Sequence, residues 1–216
     1  MWESFLESRG LQEVTPEFLA THETENAWRE QVAGQRVKGR DGKWKRFPPV
    51  AKPSAADVDA AEKALGVALP ISYRAFCMQL GPGVLADMFR IYAPCRDSPF
   101  MDLTTEATQL RDSWPRPGQP YAYPFPVQEL VVFASTLMGD NFGFYPKEPT
   151  QGDEYAIYAV LREPPPESMI ARVADSFIDF VDNVVLGRRM VDLGIFTFEA
   201  GPDYRTWEPF KKRKKR

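Results

Sequence analysis

The most regular pattern of apolar and polar positions lies in residues 54–66. Apolar residues recur there every three or four positions with charged residues between them, as on the buried face of a helix. Ser54 and Asp57 have the spacing of a capping box, and Gly66 stands where a helix commonly ends. A second helix is predicted over residues 73–80. Two short helices joined by a tight linker must pack their apolar stripes on something, most simply a sheet.

Four segments further along the chain have the composition and punctuation of strands. They are short, rich in β-branched and aromatic residues, and bounded by Gly, Asp, Asn or Pro. The four segments are residues 88–92, 130–134, 142–145 and 155–160. Together they predict an antiparallel meander that supplies the surface on which the helical hairpin packs.

Outside these segments the pattern is less regular. Residues 174–185 are amphipathic and predict a closing helix that ends near Gly187, and residues 194–198 suggest a final edge strand. An Asp-Gly pair at 41–42, between short alternating segments, favours a hairpin. The chain is therefore predicted to have an α+β fold, in which an antiparallel sheet of mixed-length strands packs against a helical hairpin and a C-terminal helix.

We expect residues 1–50 to form an extension packed on the same core, residues 51–200 the main domain, and residues 201–216 a basic tail.

Charge is distributed unevenly along the chain. All six residues from Lys211 to Arg216 are basic; removing them from the 27 Lys and Arg leaves 21 basic against 30 acidic side chains, a formal charge of −9. This acidic body, residues 1–210, favours basic partners or is simply well solvated. The tail is either a solvated extension or a contact for nucleic acid or an anionic membrane surface.

The composition is that of an ordinary globular protein. The 216 residues are 44% hydrophobic and 26% charged, and no stretch approaches the roughly 18 apolar residues that span a bilayer. The first residues lack the basic and then apolar order of a secretory signal, so we expect a cytoplasmic protein. Cys77 and Cys95 are expected to be buried thiols. His22 is the single histidine, which excludes any site that needs two.

No motif in the sequence carries recognisable catalytic chemistry. Residues 34–40 have the glycine spacing of a phosphate-binding loop, but Arg40 stands where lysine is needed and an acidic residue replaces the Ser or Thr. Asp140, Asp153 and Glu154 form the densest group of carboxylates outside the helices, a group suited to acid–base work. All three lie in short runs that begin with glycine between two predicted strands, so turn formation explains them better. We predict no catalytic residue, cofactor or metal.

The connection between the first two predicted strands is unusually long. Its part at residues 114–126 is rich in proline and carries several aromatic residues, including Trp114, Tyr121 and Tyr123. A connection of this length in a compact domain is usually functional or disordered, and disordered segments are poor in aromatic residues. These three side chains are therefore candidate anchors for a partner.

Several segments, taken in order, resemble the SUKH superfamily. The hairpin of residues 56–83, with Leu69-Pro70 at its turn, resembles the opening signature of that superfamily. Phe133-Ala134 and the Gly-Asp turn that follows look like its central motif. Residues 174–181 are similar to its closing helix. The resemblance covers about residues 53–186 and leaves both ends of the chain unmatched.

The resemblance implies an α+β domain that binds proteins rather than transforming small molecules. The superfamily includes fungal regulators of cell-wall synthesis and bacterial immunity proteins that neutralise toxins by direct binding. We therefore expect an immunity protein with a cognate toxin as its partner. The alternative is a regulatory scaffold of the cell-wall or signalling type without a toxin. The expected partner-binding residues are Trp114, Tyr121, Tyr123, Asp140, Asn141, Asp153 and Glu154.

Overall fold

The computed structural model describes residues 2–10, 12–13, 37–38, 44–45, 51–86, 88–95, 101–113, 127–136, 138–162, 170–195 and 206–209. Its helices are α1 (Trp2–Ser8), α2 (Ala55–Leu65), α3 (Ile71–Gln79), α4 (Leu103–Ser113), α5 (Phe177–Asp179), which continues as a π-helix (Phe180–Val185), and α6 (Arg189–Asp192), with a 3₁₀ turn at Val127–Glu129. Its strands are β1 (Gln12–Glu13), β2 (Val37–Lys38), β3 (Trp44–Lys45), β4 (Gly83–Leu85), β5 (Phe89–Ile91), β6 (Val131–Thr136), β7 (Asn141–Pro149), β8 (Tyr155–Val160), β9 (Ile170–Ala174) and β10 (Thr206–Pro209).

The main sheet is built on an antiparallel meander. Strands β4 to β9 pair with their neighbours in chain order, β10 pairs antiparallel with β4, and β1 pairs parallel with β10. The predicted α+β fold is confirmed, and β5, β6, β7 and β8 match the four predicted strands. Strand β10 lies inside residues 201–216, the segment expected to be a tail, so part of that segment pairs with the central sheet.

The helical hairpin forms as the sequence predicts. The Ser54 hydroxyl accepts a hydrogen bond from the Asp57 N–H, and the Asp57 carboxylate accepts one from the Ser54 N–H at 2.9 Å. Gly66 ends α2 with φ of +73°, a left-handed conformation that glycine adopts without steric cost. Because both helix ends are fixed by local residues, α2 needs little help from the rest of the fold to define its limits.

Aromatic rings fill the space between α3, α5 and the sheet. The rings of Phe133 on β6 and Phe144 on β7 stack with centroids 4.2 Å apart, and Tyr73 and Phe177 meet them edge-on or tilted. All six residues of β6 are buried. Because β6 is buried on both faces, other elements must cover both of them. Helix α4 covers the second face, where Leu110 lies beside Val132 of β6.

The closing helix differs from a regular α-helix. After one turn in α5 the chain widens into the π-helix, where the Leu186 N–H donates to the Val181 carbonyl at 3.1 Å. The predicted inward residues of this segment, Phe177 and Val184 among them, are all buried. At Gly187 an added Cβ would lie 2.7 Å from the Asn183 carbonyl oxygen, so only glycine lets the chain leave the helix this closely.

The first described helix docks on the same core. Trp2 of α1 is buried, and its indole Nε1–H donates to the Ser72 carbonyl at 2.9 Å. Its ring lies edge-on to Phe76 and Phe177. Arg9 and Asp182 form an ion pair at 2.7 Å just beyond the helix. Residues 2–10 therefore pack on α3 and α5, although the regular sequence pattern begins only at residue 54.

Two peripheral predictions fall partly outside the described residues. Strands β2 and β3 pair antiparallel, which confirms the hairpin predicted around Asp41-Gly42, although the turn itself is not described. The edge strand expected at residues 194–198 is described only to Ile195, which lies in a turn.

Candidate functional site

Strand β7 divides the carboxylates predicted to bind a partner into two groups. Asp140 and Asn141 lie where β7 begins, and Asp153 and Glu154 lie in the turn beyond its end. The six residues of β8, which pair with β7 along its length, separate the two turns by about 20 Å, since a strand rises about 3.3 Å per residue. The structure therefore does not bring these carboxylates together. Acid–base work by a pair drawn from both turns is ruled out by this distance.

Asp140 holds the turn between β6 and β7. It is 9% exposed; its Oδ1 accepts from the Arg162 N–H and its Oδ2 from the Thr136 hydroxyl, both at 3.0 Å. Its own N–H donates to the Thr136 hydroxyl oxygen at 3.1 Å. Both carboxylate oxygens are thus engaged inside the protein, and the side chain tethers the turn to the chain that follows β8.

The residues around Asp140 present a different surface to solvent. Asn141 is half-buried, and its amide donates a long hydrogen bond of 3.4 Å to the Gly139 carbonyl. Gly139 has φ of +96°, and an added Cβ would lie 2.8 Å from the Arg162 side chain. Met138, at the tip of the turn, is 64% exposed. This end of the sheet therefore offers an isolated apolar side chain beside an amide.

Glu154 joins two helices to the opposite turn. It is 6% exposed; its Oε1 accepts from the Ser72 N–H of α3 at 2.8 Å, and its Oε2 accepts from the Phe177 N–H of α5 at 3.2 Å. The first N–H groups of a helix have no partner within it, and the helix dipole favours a negative charge there. One buried carboxylate thus satisfies two helix starts and fixes them to the β7–β8 turn.

Asp153 lies on the outside of this turn. Its side chain is exposed, and its φ of +59° is left-handed, a conformation that Asp tolerates better than most residues. Its carbonyl accepts from the Ile71 N–H at 3.3 Å. Of the two acidic residues predicted here, Asp153 faces solvent and Glu154 organises the backbone beneath it.

The aromatic candidates Trp114, Tyr121 and Tyr123 lie outside the described residues. The chain is described again from Val127, and Glu129 then contacts the outer face of the sheet, where its carboxylate pairs with Lys147 of β7 at 2.5 Å. The rings of Tyr145 and Tyr158 meet edge-on there. Burial and a hydrogen bond to Glu148 raise the pKa of Tyr158 to about 12. Sequence reasoning missed this tyrosine pair because its members look like ordinary strand residues.

Glu106 is the described carboxyl group with a clearly raised pKa. It lies half-buried on α4, where burial raises its pKa to about 6, the Arg90 guanidinium opposes the rise and Asp102 adds to it. Perturbed carboxyl groups are common at catalytic sites. Asp102, however, accepts from the Thr105 and Cys95 N–H groups, both at 3.0 Å, and so caps the start of α4. A second carboxylate available for acid–base work is therefore not assembled beside Glu106.

Other classes of site find no support in the described part of the chain. Its His, Cys, Asp and Glu side chains form no group of three or more that could hold a metal ion. Cys77 and Cys95 are buried thiols, as expected, and burial raises the pKa of Cys77 far above its ordinary value. Among the helices of these ranges, none has the length and apolarity needed to cross a bilayer. His22 and the basic residues 211–216 are not described.

The family model described as the SMI1 / KNR4 family (SUKH-1) matches residues 52–183, more than half of the chain. The chain belongs to the SUKH-1 family. The matched range begins just before α2 and ends within the π-helix, so it contains both turns that flank β7. No curated protein matches the chain. The SUKH superfamily predicted from sequence is thereby confirmed.

Membership of the SUKH-1 family supports a protein-binding role, of an immunity or regulatory kind, in a family that is generally non-catalytic. The engagement of Asp140 and Glu154 by hydrogen-bond donors within the chain fits such a role, because both carboxylates build the turns. Helix α1 and strand β10 lie outside the range that the SUKH-1 model matches. Both elements nevertheless join the matched part of the chain, since β10 pairs with β4 and Trp2 of α1 donates to the Ser72 carbonyl.

Proposed function

We propose that the chain is an immunity protein that neutralises a cognate toxin domain by binding it directly. The observation that carries this proposal is the match of residues 52–183 to the SUKH-1 family. The acidic body supports it, because carboxylates steer association with a basic surface such as an active site that binds an anionic substrate. The chain would act in the cytoplasm and occlude the toxin without changing it chemically.

The seven predicted partner-binding residues take different roles in this proposal. Trp114, Tyr121 and Tyr123 would supply large anchors, since aromatic side chains dominate the energetics of protein interfaces. Asn141 and Asp153 would contact the toxin at the surface. The two buried carboxylates, Asp140 and Glu154, would shape the turns that present them.

A regulatory scaffold of the cell-wall or signalling type is the second candidate, and the SUKH-1 family supports it to the same coarse level. The neighbouring gene distinguishes the two. A large secreted polypeptide with a variable C-terminal end, encoded next to this chain, is expected for an immunity protein. A scaffold requires no such neighbour.

Replacing Trp114 with alanine is expected to weaken neutralisation at least about ten-fold, because interface tryptophans are frequent hot spots. The assay is growth of bacteria that express the C-terminal domain of the neighbouring polypeptide together with increasing amounts of the chain. The exposed apolar residue Leu193, replaced by alanine, serves as the control and should protect as well as the original chain. Equal protection by both variants would show that Trp114 is not part of the interface. A lack of protection by the original chain would contradict the proposal that it neutralises this toxin domain.

A further inference from the structure

We propose that the surface formed by Ile71, Asp153 and Ile178, here called the isoleucine corner, docks a protein segment that carries a bulky apolar side chain beside a cationic one. The inference deepens the proposed function and rests on it for the identity of the partner. It places the docking of this segment at one end of β7, the end at the β7–β8 turn, while Asn141 at the other end would contact a different part of the toxin.

A single carboxylate joins the two backbone segments that carry the isoleucines. Ile71 precedes Ser72, and Ile178 follows Phe177; the N–H groups of Ser72 and Phe177 donate to the two oxygens of Glu154. The carboxylate oxygens are about 2.2 Å apart, so the two backbone segments approach closely at this point. The Asp153 carbonyl accepts from the Ile71 N–H, which adds the turn to the same corner.

Both isoleucines face solvent although their neighbours are buried. Ile71 is 58% exposed and Ile178 is 40% exposed, whereas Ser72 and Phe177 beside them are buried. Single exposed apolar residues are ordinary, but two that flank one rigid backbone junction offer a partner an apolar contact surface. The hydrogen bonds from Glu154 hold the backbone in place before binding, which reduces the entropy lost when a partner docks.

Charge around the corner selects the partner. The Asp153 carboxylate is exposed, and none of the ion pairs among the described residues includes it. Asp175 lies next to the turn, because the Thr150 hydroxyl donates to the Asp175 carbonyl at 2.6 Å, and the Asp175 carboxylate pairs with Arg172 at 2.8 Å. On the α3 side, Arg74 forms ion pairs with both Asp59 and Glu62. Carboxylates thus exceed cations at this end, so a basic segment is attracted, and an acidic segment or a second copy of the chain is repelled.

The test uses short random peptides displayed on phage and selected on the immobilised full-length chain. We expect enriched sequences to combine Lys or Arg with bulky apolar residues. Binding of an enriched peptide should weaken about ten-fold or more when Ile71→Lys and Ile178→Lys are combined, and should weaken more at low salt than at high salt for Asp153→Asn. Asn accepts the left-handed conformation of residue 153, so that substitution keeps the turn.

Met138→Lys is the matched control, because Met138 is an exposed apolar residue at the opposite end of β7. It should leave peptide binding within about two-fold of the original chain. Thermal unfolding of each variant establishes that the fold is retained. Failure to enrich any peptide, enrichment of acidic peptides, or loss of binding through Met138→Lys instead of the isoleucine substitutions would overturn the proposal.

Neutralisation of the toxin domain by the same variants separates this inference from the proposed function. If the original chain fails to neutralise, the proposed function fails, and peptide binding still decides whether the corner docks a basic apolar segment. If the original chain and the isoleucine variants neutralise equally well, the proposed function stands and the corner is excluded as its binding surface.

Discussion

Replacing Glu154 with alanine is expected to lower the free energy of unfolding by about 3–4 kcal/mol, because two buried backbone N–H groups lose their acceptor at once. These groups belong to Ser72 and Phe177, and both residues are buried. The substitution also removes a negative charge from two helix starts. Urea unfolding followed by circular dichroism measures the loss.

Two substitutions control for the role assigned to Glu154. Glu154→Gln keeps one acceptor and nearly the same shape, so its loss should be about half that of Glu154→Ala. Asp153→Asn changes the charge of the neighbouring exposed residue and should alter stability by less than about 0.5 kcal/mol. A loss of less than about 1 kcal/mol for Glu154→Ala would show that the carboxylate does not hold the two helices.

Trp2→Ala is expected to lower the free energy of unfolding by about 3–5 kcal/mol, the usual range for removing a buried tryptophan. The ring packs on Phe76 and Phe177, and its Nε1–H donates to the Ser72 carbonyl. The same urea unfolding experiment measures the effect. Trp2→Phe keeps an aromatic ring but loses this hydrogen bond, so we expect it to fall between the alanine variant and the original chain.

Glu7→Ala is the matched control for the tryptophan, because Glu7 is exposed on the same short helix. Its effect should stay within about 0.5 kcal/mol. If Trp2→Ala were no more destabilising than Glu7→Ala, α1 would be a detachable appendage rather than a part of the core. Ser72→Ala adds a further check: it removes a buried hydroxyl without a partner among the described residues and leaves the backbone contacts of both Trp2 and Glu154 in place.

The elements predicted correctly are those whose limits are encoded locally. The capping box at Ser54, the left-handed Gly66 and the turns around β7 are each specified within a few residues. Strands β4 and β10 were not predicted, because β4 is three residues long and begins at a glycine that reads as a helix stop. Their pairing joins Gly83 to Pro209, a contact that no local pattern reveals.

The closing helix illustrates a second limit. Its buried positions, including Phe180 and Val181, were identified from the spacing of apolar residues. That spacing cannot separate an α-helix from a π-helix over six residues, because both place these side chains on one face. Just beyond the π-helix, Gly187 lies so close to Asn183 that only glycine fits.

The candidate site was predictable in its residues but not in its arrangement. Gly139 and Gly152 correctly indicate the turns that contain Asp140 and Glu154. The carboxylates of these two residues, however, bind backbone groups far away in sequence, such as the Ser72 N–H for Glu154. The exposure of Ile71 and Ile178 depends on how α3 and α5 meet over Glu154. A property that arises from the meeting of two helices cannot be read from either helix alone.

The central claim is that the chain acts by covering the surface of another macromolecule. Titration of the purified toxin domain with the chain tests it most directly, with the activity of the toxin domain as the readout. We expect inhibition to increase linearly with added chain, to be complete at an equimolar ratio, and to be reversed when the complex is dissociated. Lasting inactivation of the toxin domain by much less than an equimolar amount of the chain would mean that the chain is a catalyst, and would contradict the claim.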